Sequence, residues 1–394
     1  MLSGYRSLFA APRGRIALAS LSARLAMAAV FLPLVLLANK ISGSFAFAGV
    51  TVAAFMVPAA ALAPVRGRLV DRAPGRILAV MTLVHGLALG TVSVASSRGG
   101  LAVAAAIAGA SSPPLAGAMR ACWRAWLGTG PELRRAYALE ASAQDGLAVA
   151  GPLLAGAGIA VLSPATVMVV LGAIVLAGGL AFSAGVQLGE DLERTSGWGP
   201  LRSGGLRTLI LSVLLADAGL GLVEIGLPAF SIRHGAPGAA GALLAVLAGG
   251  SVAGGLTVGA RDWSAPAGRR YLVATAASIV TLAPLAAAGS FAALVPLLLF
   301  AGLPFAVQWS ALSALIDGLV PAGALTEAYT WLTTANAAGL ALGTIVGGAL
   351  ISSGNDATMA LLAAPAAAAA ATLVALLRRT SLGEAAPRLS GERA

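Results

Sequence analysis

Twelve apolar stretches, each about as long as a membrane is thick, divide this chain. They run over 16–38, 44–65, 77–97, 101–121, 136–162 and 164–187, then over 207–230, 238–259, 271–289, 291–316, 327–352 and 357–377. At a helical rise of about 1.5 Å per residue, roughly 20 apolar residues cross a hydrocarbon core of about 30 Å. None of the stretches alternates with period two, so the pattern predicts helices and not a closed barrel. The first, from Ile16 to Ala38, is too long for a signal-peptide core and reads as a retained span. Polar residues gather between the stretches. The longest such interruption holds Glu190, Asp191, Glu193, Arg194, Trp198, Pro200 and Arg202. The pattern therefore divides the chain into an N-terminal six-helix half (1–187), a cytoplasmic linker (188–206), a C-terminal six-helix half (207–377) and a polar tail (378–394).

Composition agrees. Of 394 residues, 58% are hydrophobic and 10% charged, which excludes a soluble domain. A net charge of +10 points to nucleic acid in a soluble protein. Here the basic patches lack interleaved aromatics, and the arginines act as topology signals, since Lys and Arg in short loops stay cytoplasmic. With both termini inside, the outer loops hold only Lys40, Arg98 and Arg233, and Arg24 and Arg120 fall within spans. The other twenty of the 25 basic residues lie on cytoplasmic segments. The expectation is a multi-pass protein of the cell membrane with cytoplasmic termini and no nucleic-acid partner. Cys122, the single cysteine, excludes an intrachain disulfide, and no Cys/His cluster suggests a metal. No Gly-x-x-x-x-Gly-Lys-(Ser/Thr) loop and no serine nucleophile elbow appears, so neither ATP hydrolysis nor another enzymatic activity is expected.

The chain repeats itself at an offset of 192 residues. Ala136-Tyr137 recurs as Ala328-Tyr329, Gln144 as Asn336, Gly151 as Gly343 and Gly156 as Gly348. Gly67 recurs as Gly259, and Ala73-Pro74 as Ala265-Pro266. An offset of six spans makes this a parallel repeat.

Between the second and third spans the chain reads Gly67-Arg68-Leu69-Val70-Asp71-Arg72-Ala73-Pro74-Gly75-Arg76. One acid stands among Arg66, Arg68, Arg72 and Arg76, which predicts a tight cytoplasmic loop with Gly67 and Gly75 supplying conformations closed to other residues. The segment resembles the loop between the second and third spans of major facilitator superfamily transporters, with Ala73-Pro74 where the family has one residue. The resemblance implies an all-α membrane protein of 12 transmembrane helices in two pseudo-symmetric halves. It also implies a monomer that takes a small-molecule substrate in the lipid bilayer, with a proton gradient and no cofactor as its energy source. Gly67, Asp71, Arg72, Gly75 and Arg76 then form a conformational latch, Asp71 lying near the start of the eleventh helix when the inner side is closed. Span five carries Gly146, Gly151, Pro152 and Gly156, similar to the antiporter motif of the superfamily's exporters, with Ala155 in place of one glycine. Pro152 can bend the span, and the glycines admit another helix. Gly339, Gly343 and Gly347, and Gly250, Gly254 and Gly259, make further smooth faces. The family's fourth-span arginine motif is missing from the middle of span four.

Charges at membrane depth are functional candidates. Asp217 lies ten residues after Arg207, about 15 Å into span seven, and Glu224 follows on the same face. Arg24 and Asp145 sit at similar depth in spans one and five. These four are the candidates for proton coupling. The alternative is a buried ion pair of Arg24 with Asp217 or Asp145. Glu140, Asp317 and Glu327 are expected to be solvated near the inner interface. By the resemblance, spans four and ten also line the cavity, so Phe300, Phe305, Gln308, Trp309, Ser111 and Ser112, with Asn336 from span eleven, are candidate substrate contacts. Trp123, Trp126, Trp198 and Trp263 read as interface anchors, and His85 as a hydrogen-bonded packing histidine. The expected function is secondary active transport, namely proton-coupled export of small amphipathic molecules by alternating access. An importer or uniporter of the same fold, or a membrane receptor or enzyme without transport, is the alternative.

Overall fold

The computed structural model describes residues 12–128, 130–186, 201, 203–259, 265–320, 325–354 and 356–382. Among these the regular elements are all helical. In chain order they are α1 (Arg13–Ala28), α2 (Phe31–Ser42), α3 (Phe45–Ala61), α4 (Ala63–Arg72), α5 (Pro74–Val94), α6 (Arg98–Ser111), α7 (Leu115–Leu127), α8 (Pro131–Val161) and α9 (Pro164–Gly185). Then follow α10 (Gly204–Arg233), α11 (Ala239–Gly259), α12 (Ala267–Leu282), α13 (Phe291–Leu319), α14 (Leu325–Gly354) and α15 (Ala357–Leu377). Among the described residues eleven helical spans are long and apolar enough to cross a membrane, and twelve if the pair α3–α4, bent by 48°, is one span. The protein is an all-helical, multi-span membrane protein.

Proline places the breaks, because it removes an N–H and crowds the preceding turn. Span two bends at Leu62, with Pro64 opening α4. Span four breaks at Ser112-Pro113-Pro114, between α6 and α7. Span nine ends in a 3-10 turn, Ala283–Ala287, with Pro284 at its start.

The loop expected over 67–76 is much shorter in the structure. Helix α4 runs to Arg72 and α5 begins at Pro74, so the turn is Ala73 alone, at φ −152° and ψ 74°. Neither Gly67 nor Gly75 is among the glycines with left-handed φ, which include Gly43 and Gly235. A side chain at Gly67 would meet open space, whereas a Cβ at Gly75 would stand 2.8 Å from the Ser183 carbonyl. Gly75 therefore serves close packing of α5 on α9. The linker residues 187–200 and 202, Trp198 and Trp263, and the tail from 383 lie outside the described residues, as do the side chains of Asp71 and Asp317.

The described residues divide between two compact units. One is drawn from Met1–Glu193, Glu224–Ala248 and Thr344–Ala360, the other from Arg194–Val223, Gly249–Gly343 and Leu361–Ala394. The first unit's core includes Leu78, Leu115, Met119, Trp123 and Phe182. The second is built around Leu209, Tyr271, Leu312, Ile316 and Leu332. Trp123 is fully buried, so it is a core residue and not the interface anchor expected of it.

Candidate functional site

In the first unit a polar cluster joins α1, α7 and α8. Arg24 Nη1 donates to Glu140 Oε2 at 2.6 Å, and Nη2 donates to Gln144 Oε1 at 2.9 Å. Trp123 Nε1 donates to the other Glu140 oxygen at 3.2 Å. Arg24 and Glu140 are 7% and 8% exposed at their side chains. Arg24 is thus committed to Glu140, and the pairing expected with Asp217 or Asp145 is corrected. Residues four apart share a helix face, so α8 presents Glu140 and Gln144 together to α1, while Asp145 is turned aside and exposed. Glu140, expected to be solvated, is buried. Beside this cluster a cavity of about 330 Å³ is lined by Arg24, Met27, Pro113, Pro114, Gly117 and Gln144. Its walls are mostly apolar, with the guanidinium and the amide as polar points.

In the second unit Asp217 on α10 is 5% exposed. Its Oδ2 accepts from Asn336 Nδ2 of α14 at 2.9 Å. Among the described residues no cation pairs with it, whereas Arg24 pairs with Glu140 and Arg233 with Asp356. The approach of α14 depends on small residues. A Cβ at Gly339 would crowd the Leu214 carbonyl and Asp217 Cβ, and one at Gly343 the Ala218 carbonyl. Glu224, seven residues along α10, is half-buried. Close by in sequence, Ser212 accepts from the Tyr271 hydroxyl and donates to the Ala371 carbonyl, both at 3.0 Å, joining α10, α12 and α15.

The other candidates are placed variously. Gln308 Nε2 donates to Ser278 Oγ at 2.7 Å and the Ala274 carbonyl at 3.3 Å, so its amide ties α13 to α12. Phe305 is buried, Trp309 packs on the second unit's core, and Phe300 is 59% exposed. Ser111 Oγ donates to the Ile107 carbonyl at 2.6 Å, and Ser112 is half-buried at the span-four break. Of the latch residues, Arg72 and Arg76 are exposed. In the antiporter-type motif, a Cβ at Gly151 would stand 2.7 Å from Ala28 Cβ of α1, and one at Gly156 2.8 Å from Gly241 Cα of α11. Gly146 faces open space, and Pro152 lies inside α8. His85 Nδ1 lies 2.7 Å from the Ala108 carbonyl, the packing role expected of it. Arg66, counted by sequence among loop cations, is only 8% exposed and is bound to three backbone carbonyls.

Sequence reasoning missed Glu140 and Arg66. For Glu140 a signal existed, since it stands one helical turn before Gln144. For Arg66 the only hint was Pro113-Pro114, which leaves carbonyls in span four without helical donors.

Residues 16–270 match the family described as Major Facilitator Superfamily. No curated protein sequence is similar enough to count as a match. Among solved structures, a point mutant of the nucleoside transporter NupG is similar with a TM-score of 0.79 at 11% identity, covering 92% of this chain and 98% of that one. The human organic anion transporter MFSD10 (TETRAN) gives 0.62 at 15% identity, covering 91% and 98%. A bacterial homolog of the human lysosomal transporter Spinster, in an inward-facing and unoccupied conformation, gives 0.67 at 15% identity, covering 95% and 97%. At these identities the likeness is one of fold.

Proposed function

This chain belongs to the Major Facilitator Superfamily, and on that premise we propose that it is a secondary active transporter exporting small amphipathic molecules in exchange for protons. The observation that carries the proposal is Asp217, a carboxylate buried in mid-span and held by neutral Asn336. An ionised carboxylate at that depth is costly unless a cation accompanies it. Neutralised by a proton, it can remain buried; opened to water, it can release that proton. Alternating exposure of such a group to the two sides moves one proton per cycle. Arg24 does not compete for this role of counter-ion, because Glu140 holds it.

The remaining parts of the reading follow from the same premise. The cavity beside Arg24, apolar with a few polar points, suits an amphipathic cargo. Export is supported by the small-residue face of α8, where Gly151 and Gly156 admit α1 and α11. The basic residues on short loops favour cytoplasmic termini in a cell membrane. The transporter works as a monomer, with Gly67, Asp71, Arg72, Gly75 and Arg76 as its cytoplasmic latch and a proton gradient as its energy source.

A thermal-stabilisation screen on purified protein identifies the cargo. Proteoliposomes with an imposed pH gradient then test the mechanism. The parent should accumulate cargo against its gradient on the side from which protons leave, and Asp217→Asn should abolish accumulation while leaving cargo binding intact. Accumulation that follows the proton flow makes the protein an importer. Accumulation by Asp217→Asn equal to the parent's overturns Asp217 as the proton carrier.

A further inference from the structure

Span four presents an accounting problem that Arg66 solves. In a continuous helix the carbonyls of Gly109 and Ala110 accept from the N–H groups four residues on. Those residues are Pro113 and Pro114, which have none. The Ser112 N–H, in turn, bonds back to Gly109 at 3.2 Å, which deprives Ala108 of its donor. At the end of α6 the carbonyls of Ala108 and Ala110 thus lose their backbone donors and Gly109 keeps only the Ser112 N–H, inside a membrane, where water cannot replace them.

Side chains from the neighbouring spans take over. Arg66 Nη1 donates to Gly109 at 2.7 Å and to Ala110 at 3.2 Å. His85, from α5, bonds Ala108 at 2.7 Å, with the Ser111 hydroxyl adding a weaker contact at 3.3 Å. The same guanidinium donates through Nη2 to the Ala59 carbonyl, at the end of α3 just before the span-two bend. Helix C-termini carry partial negative charge, so one cation between two of them is also electrostatically favoured. Gly109 lets α3 come close enough for this, since a Cβ there would strike the Phe55 backbone. Arg66 Nε is left without a partner, a cost tolerated at a residue that satisfies three carbonyls.

We propose that Arg66 is a positioning residue for the substrate cavity: its guanidinium stands in for the N–H groups that Pro113 and Pro114 lack, alone at Ala110 and beside the Ser112 N–H at Gly109, and so fixes the break in span four. The first residues past that break, Pro113 to Gly117, form the cavity wall shared with Arg24 and Gln144. Arg66 itself does not line the cavity. It also ties the bends of spans two and four together, so that both helices turn as one body. The cavity's role in binding cargo rests on the transporter reading; the clasp does not.

The test uses purified full-length protein in which Cys122 is replaced by Ala and a reporter cysteine is placed at exposed Gly117. Two quantities are read: the melting temperature and the rate of labelling by N-ethylmaleimide. Arg66→Gln should lower the melting temperature by at least about 5 °C and change the labelling rate severalfold. Arg66→Lys, a single point donor, should fall between. Adding Pro113→Ala and Pro114→Ala to Arg66→Gln returns the two missing N–H groups. That triple variant should recover the melting temperature while the labelling rate stays altered, because the break closes and the wall moves. If the triple variant is no more stable than Arg66→Gln, or if Arg66→Gln matches the parent in both readings, the proposal fails. If Arg66→Gln does not fold alone, the triple variant still decides, since it must fold for the proposal to stand. None of these readings needs transport, so a failed transport assay and a failed clasp are told apart.

Discussion

The two units place a polar pair at equivalent points of the sequence repeat, but they build it differently. Gln144 and Asn336 stand 192 residues apart, Arg24 and Asp217 193. In each unit the charged side chain is on the first span of its half and the amide on the fifth, hydrogen-bonded to it at 2.9 Å. The helix contact beneath is also repeated: Gly151 packs on Ala28 and Gly343 on Ala218. What differs is the neutralising group. The first unit has Glu140 against Arg24; the repeat puts Leu332 there, fully buried in the second unit's core. One site is therefore closed on itself as an ion pair. The other leaves a carboxylate with an amide for company. The same scaffold makes a buried ion pair in one half and, in the other, the unpaired carboxyl that we propose as the proton carrier.

The largest way to break this comparison is through transport. Asp217→Asn should remove gradient-driven accumulation entirely, because the amide carries no exchangeable charge, while Gln144→Ala should reduce it only in part. Equal losses measured in the same proteoliposomes mean that the two sites do not differ in kind.

Stability separates them in the opposite sense. Glu140→Gln keeps the shape but leaves Arg24 buried and uncompensated, and breaking such a pair costs about 3–5 kcal/mol. Asp217→Asn replaces a buried carboxyl that has no counter-ion with a neutral amide, and it should be neutral or stabilising. Denaturation of the two variants in one detergent checks the contrast. The double change Arg24→Leu with Glu140→Leu should recover most of the loss, since an apolar pair of similar volume often replaces a buried ion pair without penalty.

A smaller effect sharpens the geometry of the second site. A Cβ at Gly339 would stand 3.0 Å from Asp217 Cβ and would also crowd the Leu214 carbonyl. Gly339→Ala must push α14 from α10 and lengthen the Asn336–Asp217 bond, at a cost of about 1–3 kcal/mol. Gly146→Ala, where nothing lies within 4 Å, is the control, expected to be neutral or stabilising by up to about 1 kcal/mol through the higher helix propensity of Ala. Equal melting temperatures for the two variants contradict close packing at Gly339.

Much of this architecture was legible in the sequence. Twelve spans could be counted because crossing a membrane demands length and apolarity, and both are local properties. The repeat gave the equivalence of Gln144 and Asn336 for the same reason. The break in span four was announced by Pro113-Pro114. What could not be read was which charge meets which. Depth along a span placed Arg24, Asp145 and Asp217 together, but a side chain's partner depends on helix rotation and on the neighbour's rotation. That is how exposed Asp145 and buried Glu140 exchanged their expected roles, and how Arg66, one residue from a loop motif, proved to be a clasp inside the bundle. The loop conformation expected at Gly67 and Gly75 was misjudged for a related reason: conformational freedom and absence of bulk look alike in sequence, and at Gly75 it is the latter that is used.

The smallest expected effect calibrates the buried ion pair against an exposed one. Arg233 and Asp356 pair at side chains 52% and 37% exposed. Asp356 precedes α15 and accepts from the Thr358 N–H at 2.9 Å and its hydroxyl at 2.8 Å. The backbone N–H of Thr358 is the main cause that holds the Asp356 carboxyl below its ordinary range; the Thr358 hydroxyl and Arg233 add to it, and slight burial opposes. A carboxyl lowered in the folded state stabilises fully above its unfolded value of about 3.9 and loses that contribution as pH falls through the folded value. Asp356→Asn keeps an oxygen for the helix cap and loses the charge, so at pH 7 it should cost less than about 1 kcal/mol. Asp356→Ala loses the cap as well and should cost about 1 kcal/mol more. Melting curves of parent and Asp356→Asn, taken from pH 7 down to pH 3, should converge below about pH 4. If Asp356→Asn costs as much as Glu140→Gln at neutral pH, burial is not what makes the first site's ion pair a joint, and the contrast between the two units must be sought in something other than desolvation.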